Sequence, residues 1–190
     1  MSKVINNAIL QGVSGKLGDT HYYRNLHGKL QMCNLPGERK KSTARQKDQM
    51  KRFRKASQYA KAETRNAAVN ALYATGICRE RPSAYNVALS DYLNAPVIHY
   101  IRPKLYTGDA GSLITIKATD DFRVERVHVT IHTPDGKLLE SGEAERNKRK
   151  PFMWNYRATV KNAKVSGSVI KVIAEDRPGN ETKGEVVIGA

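Results

Sequence analysis

Cysteine is scarce in this sequence, tryptophan occurs once, and no long hydrophobic run exists. Each scarcity closes off a class of protein. The two cysteines, Cys33 and Cys78, lie far apart and fit neither a disulfide framework nor a metal-ligand spacing. They are read as reduced thiols. No apolar stretch approaches the roughly 18 residues needed to cross a bilayer, and residues 1–19 hold no continuous apolar segment before a cleavage site. The expectation is a soluble cytoplasmic protein with no membrane partner.

Catalytic signatures are missing as well. GxSxG, HExxH and paired CxxC patterns do not occur, so no catalytic residue is assigned and the chain is not read as an enzyme. Gly12, Gly15 and Gly18 beside Lys16 lack the spacing of a phosphate-binding loop and are read as turn glycines. His128 and His132 share one face of a strand but are about 13 Å apart along it, too far for one ion. Asp120-Asp121 and Glu175-Asp176 sit near strand ends and could meet around a hard cation such as calcium. Turn capping is the commoner use of such pairs, so no metal ligand and no cofactor is assigned.

Acidic residues are the last scarcity: 18 against 33 lysines and arginines, a net charge of +15. The imbalance is local. Residues 1–95 carry 17 basic and 6 acidic side chains, whereas residues 96–190 carry 16 and 12. Within residues 39–65 there are eleven lysines or arginines against Asp48 and Glu63, a local charge of +9. On a helix, Met50, Phe53, Ala56, Ser57 and Ala60 fall in an arc of roughly 120°, the expected core face. Lys47, Lys51, Arg54, Lys55, Lys61 and Arg65 gather in a stripe beside it, with both acids outside. Such segregation points to a polyanionic partner, with nucleic acid bound without sequence preference as the leading reading. Tyr22, Tyr23 and Arg24 are candidates for base stacking beside that surface.

The expected fold class is α+β. Residues 21–33 read as a hairpin with Gly28 at positive φ. A basic helix follows with Ser42 or Thr43 as N-cap, a break is expected near Asn66, Gly76 stands as a C-cap, and a further helix starts at Ser83. From Val97 the period changes to two, and about seven short strands with regular turn signals read as a β-sandwich. Trp154 and Tyr156 share a strand face as aromatic core anchors. Two domains are expected: a hairpin-plus-helical domain over residues 1–95 and a sandwich over residues 96–190.

The runs ATDDFRVERVHVTI, WNYRATV and IKVIAEDRPGNET resemble bacterial immunoglobulin-like domains across residues 97–190. That resemblance implies an immunoglobulin-like sandwich used for adhesion, spacing or assembly. The whole chain, with SGKLGDTHYYRNLHGK in front and SAYNVALSDYLNAP in the middle, also resembles a family of uncharacterised bacterial proteins, which implies no site residues. Two functions follow. One is a non-enzymatic binding protein whose basic helix grips a polyanion while the immunoglobulin-like domain makes protein contacts. The other is a structural or assembly subunit, a phage-type or filament component, that contacts itself or other subunits.

Overall fold

The computed structural model describes residues 2–3, 13–26, 28–37 and 41–189. Gly12, His27 of the expected hairpin, and Arg39 and Lys40 of the basic run lie outside them. The fold is α+β, with three helices and three antiparallel sheets among the described residues. It divides into two compact units, residues 1–47 and residues 48–190.

In the first unit, β1 (Ser2–Lys3), β2 (Gly15–Leu17), β3 (His21–Leu26) and β4 (Lys29–Asn34) form a sheet in the order β1-β4-β3-β2. β3 and β4 pair antiparallel from His21↔Asn34 to Leu26↔Lys29, and Gly28 between them takes φ +75°. Helix α1 (Ala44–Glu63) crosses the division between the units. It opens on a capping box: Thr43 Oγ1 accepts from the Gln46 N–H at 3.2 Å, and Gln46 Oε1 accepts from the Thr43 N–H at 2.9 Å.

The chain leaves the helical path after Glu63, and Asn66 caps α2 (Ala67–Ala74) by accepting from Ala68 N–H and Val69 N–H. Ser83 caps α3 (Ala84–Leu93) through Asn86 N–H at 3.2 Å. Ala60, Tyr73, Ala84, Val87 and Ala88 form a small core among the helices, with Phe122 packed against it. Tyr73 and Phe122 stack with ring centroids 4.8 Å apart.

The remaining strands make two sheets. One runs β5 (Val97–Leu105), β6 (Leu113–Thr119), β10 (Met153–Arg157) and β9 (Glu145–Arg146); the other runs β12 (Glu181–Val187), β11 (Val169–Asp176), β7 (Val124–His132) and β8 (Leu138–Glu143). Strict alternation sends Ile114, Ile116 and Ala118 of one sheet, and Val127, Val129, Ile131, Ile170, Val172 and Ala174 of the other, into one core. Trp154 and Tyr156 lie in that core, 4% and 3% exposed. The result is a β-sandwich.

The sandwich core is drawn wholly from residues beyond 96, and the small core mostly from the helices. The two cores thus meet near the 95/96 composition break, while the division into compact units falls between Lys47 and Asp48. The reason is that α3 is bonded directly to the sandwich. Asn180 donates to carbonyls of Asp91 and Tyr92, and Thr182 Oγ1 donates to the Pro96 carbonyl at 2.5 Å.

Candidate functional site

The expected basic surface is built on α1. Lys47, the last residue of the first unit, is exposed, and so are Lys51, Arg54, Lys55 and Lys61 on the rest of the helix. Arg65 is exposed in the turn after the helix end. Among the described residues, only Lys51 of these six meets an acid, Asp48 at 3.8 Å, with both side chains about three-quarters exposed. An exposed pair of that kind neutralises little. The second acid of the run, Glu63, turns toward the sandwich and meets Arg177 at 3.6 Å. Arg52, which is not part of the stripe, donates to the Leu93 carbonyl.

The core face expected beside the stripe is only partly buried. Ala56 and Ala60 are fully buried, whereas Met50 is 60% and Phe53 53% exposed. The helix packs through its C-terminal half, where small side chains let it approach α3: Tyr85 Oη donates to Ser57 Oγ at 3.0 Å, and Tyr59 meets Tyr92 ring to ring at 5.1 Å. In the first unit, Tyr22, Tyr23 and Arg24 are half-buried, and the Arg24 guanidinium donates to Gln31 Oε1 at 3.3 to 3.4 Å.

A second cluster has the opposite sign. Oxygens of Asp91, Asp120 and Asp176 all lie within 4.8 Å of one another. Each acid continues the core-facing period of its element. Asp91 follows Ala84, Val87 and Ala88 on the buried face of α3, Asp120 follows Ile114, Ile116 and Ala118 beyond β6, and Asp176 follows Ile170, Val172 and Ala174 in β11. Of the pairs considered from sequence, one member of each arrives here and the other does not. Asp121 accepts from Ser90 Oγ and Asn94 Nδ2, and Glu175 pairs with Arg126. Asp91 was missed. Its signal was an acid in phase with an apolar helical stripe.

Asp91 and Asp176 are 0% and 2% exposed. Tyr73 Oη donates to Asp91 Oδ2 at 2.7 Å, and Asn180 donates to both oxygens of Asp176, at 2.6 and 2.7 Å. Asp120 Oδ2 accepts from Phe122 N–H and Arg123 N–H. Asp91 Oδ1 and Asp120 Oδ1 are buried without a partner. Burial, together with the neighbouring Asp120 and Asp176, pushes the Asp91 carboxyl up to about 8 even though the Tyr73 hydrogen bond pulls it down. Burial also raises Asp176, against the hydrogen bonds from Asn180.

No known family model matches the chain, and no curated protein does. Solved structures give partial matches. CopC from Methylosinus trichosporium OB3b is 22% identical over 47% of this chain and 87% of its own, with a TM-score of 0.36. A tetra-tandem repeat in the extending region of a large adhesion protein is 20% identical over 47% of this chain and 24% of its own, with a TM-score of 0.34. The catalytic module of the pneumococcal glycogen-degrading virulence factor SpuA is 12% identical over 42% and 11%, with a TM-score of 0.32. Matches at this level carry no functional argument. No described helix is long and apolar enough to cross a membrane.

Proposed function

We propose that the protein is a non-enzymatic, cytoplasmic binding protein whose α1 surface contacts a polyanion, nucleic acid without sequence preference, while an immunoglobulin-like sandwich makes protein contacts. The observation that supports this reading is the set of exposed cations at Lys51, Arg54, Lys55, Lys61 and Arg65, only one of which has an acidic neighbour among the described residues. Side chains of this kind remain free to replace the counterions of a phosphate backbone.

Filter binding of duplexes of unrelated sequence at about 50 and about 200 mM salt tests it. With five or six phosphate contacts, log K falls against log salt with a slope of about −4 to −5, and each charge removed lowers that slope by about one. The triple change Lys47→Ala, Arg54→Ala and Lys61→Ala weakens all duplexes alike and leaves the circular dichroism spectrum unchanged. No binding by the parent at low salt, or unaltered affinity in the triple variant, sinks the reading.

A second reading rests on Met50 and Phe53, which stand exposed on the apolar side of the same helix. In a structural or assembly subunit, of phage-type or filament kind, this half of α1 would dock on another subunit. Light scattering before and after nuclease treatment separates the two. A defined oligomer that survives nuclease favours assembly, and a monomer favours nucleic acid.

A further inference from the structure

We propose that Asp91, Asp120 and Asp176 form a binding site for a hard divalent cation, calcium, which ties helix α3 to the two sandwich sheets. The three ligands come from three different elements, so the chain converges on the point from a helix and from one strand end of each sheet. Two observations beyond the acidity point to a ligand. Asp91 is completely buried and its Oδ1 has no partner; Asp120 Oδ1 is also buried and unpartnered. No lysine or arginine among the described residues pairs with any of the three carboxylates. Arg177 meets Glu63 at 3.6 Å and Arg126 meets Glu175 at 2.8 Å.

Ionising carboxyls gathered in a buried place without a counter-charge is costly, and a divalent ion is the compact way to compensate them. The chemistry of the donors favours calcium: an all-oxygen set drawn from three separate elements suits the irregular six- to eight-oxygen sphere of Ca²⁺ better than the near-ideal octahedron that Mg²⁺ demands.

The rest of the coordination sphere has a route to solvent. Asp120 lines a surface pocket with Arg52, Asn94 and Asp121, and Asp176 lines another with Glu63, Glu175, Arg126 and Arg177. The hydrogen bonds from Tyr73 and Asn180 hold two of the carboxylates in place, as the outer partners of metal ligands commonly do. They leave each oxygen a further lone pair.

Full-length protein is stripped with chelator and titrated with Tb³⁺, whose emission is excited through Tyr73, the hydroxyl bonded to Asp91. The expected result is saturation at one ion per chain, reversal by CaCl₂, and at least tenfold weaker reversal by MgCl₂. Asp120→Asn keeps its circular dichroism spectrum and loses binding at least tenfold, whereas Asp135→Asn, at the exposed β7–β8 turn, binds like the parent. No saturable emission and no calcium effect on the thermal midpoint overturns the proposal and leaves a carboxyl pair sharing a proton. Full binding by Asp120→Asn overturns it too. If Asp120→Asn does not fold, calorimetry on the chelator-stripped parent decides: one Ca²⁺ per chain is taken up, and the absence of any heat of calcium binding ends the proposal.

Discussion

The side-chain amide of Asn180 joins the end of one sandwich sheet to the main chain around Asp91. It donates at 2.7 Å to Asp176 Oδ2 and at 3.3 Å to the carbonyl oxygens of Asp91 and Tyr92, in the last turn of α3. A helix end leaves its final carbonyls without intrahelical partners, and here one side chain of the sandwich serves them. The same residue donates its backbone N–H to Asp176 Oδ1 at 2.6 Å. Asn180 thus holds the closing turn of β11 and the exit of α3 in one geometry.

Replacing Asn180 by alanine removes a hydrogen bond to a carboxylate and leaves carbonyls near a buried cluster unserved. The expected loss is about 2 kcal/mol, since bonds to charged groups contribute roughly 1.5 to 3 kcal/mol. Urea denaturation of the full chain measures it. A loss below about 0.5 kcal/mol would mean that water serves these carbonyls equally well.

Truncation addresses the boundary at 95/96. Residues 96–190 contain the whole sandwich core, so this fragment is expected to unfold cooperatively by itself. It gives up the packing of Phe122 against the helical core and its stacking on Tyr73. Relative to residues 48–190 it should be about 2 to 3 kcal/mol less stable, the burial of roughly one aromatic side chain. Chemical denaturation of both fragments tests this. A non-cooperative transition in the shorter one would show that the sandwich depends on the helices.

Gly76 illustrates a residue whose type was noticed for the wrong reason. The sequence reading makes it a C-cap, but the C-cap is Thr75, in the right-handed region, and φ of Gly76 is not positive. What demands glycine is space. A Cβ at this position would lie 2.8 Å from a Phe122 ring carbon and 2.9 Å from Val87 Cγ1. Gly76→Ala should therefore cost about 1 to 3 kcal/mol through overpacking, whereas a left-handed cap would predict a backbone penalty with no change at Phe122. Pairing it with Phe122→Leu, which frees room, should recover part of the loss; strict additivity of the two changes would contradict the packing account.

Much of the architecture was legible because local rules agreed with one another. Thr43, Asn66 and Ser83 announce three helix starts, and the alternation of Val127, Val129 and Ile131 fixes which face of β7 is buried. Met50 and Phe53 were misread because periodicity shows which residues share a face and is silent on whether another element covers it. The carboxylate cluster was half legible. Asp120 and Asp176 were noticed as acids at strand ends, but Asp91 lies 29 and 85 residues away from them, and only the tertiary fold sets it beside them. Its phase on the apolar stripe of α3 was the available sign, since an acid that keeps step with a core is buried and needs compensation.

That burial carries a pH dependence whose sign can be stated. In the native protein the Asp91 carboxyl is pushed up to about 8, chiefly by burial, whereas in the unfolded chain it ionises near about 4. Between those values the folded protein holds a proton that the unfolded chain has released. Stability is therefore greatest below the unfolded value and falls as pH rises toward about 8, by at most about 1.4 kcal/mol per unit for one proton. Asp176, also raised by burial, adds in the same direction. The groups around Asp91 are Tyr59 and Tyr73 from the helices, Asp120 from the end of β6 and Asp176 from β11. Urea midpoints of the full chain in chelator should fall from pH 5 to pH 8 and level off above that. Asp91→Asn, which cannot ionise, should flatten most of the slope. A midpoint that rises over this range, or a slope untouched by Asp91→Asn, would mean that the carboxylates are ionised in the folded chain and that something other than a proton compensates them.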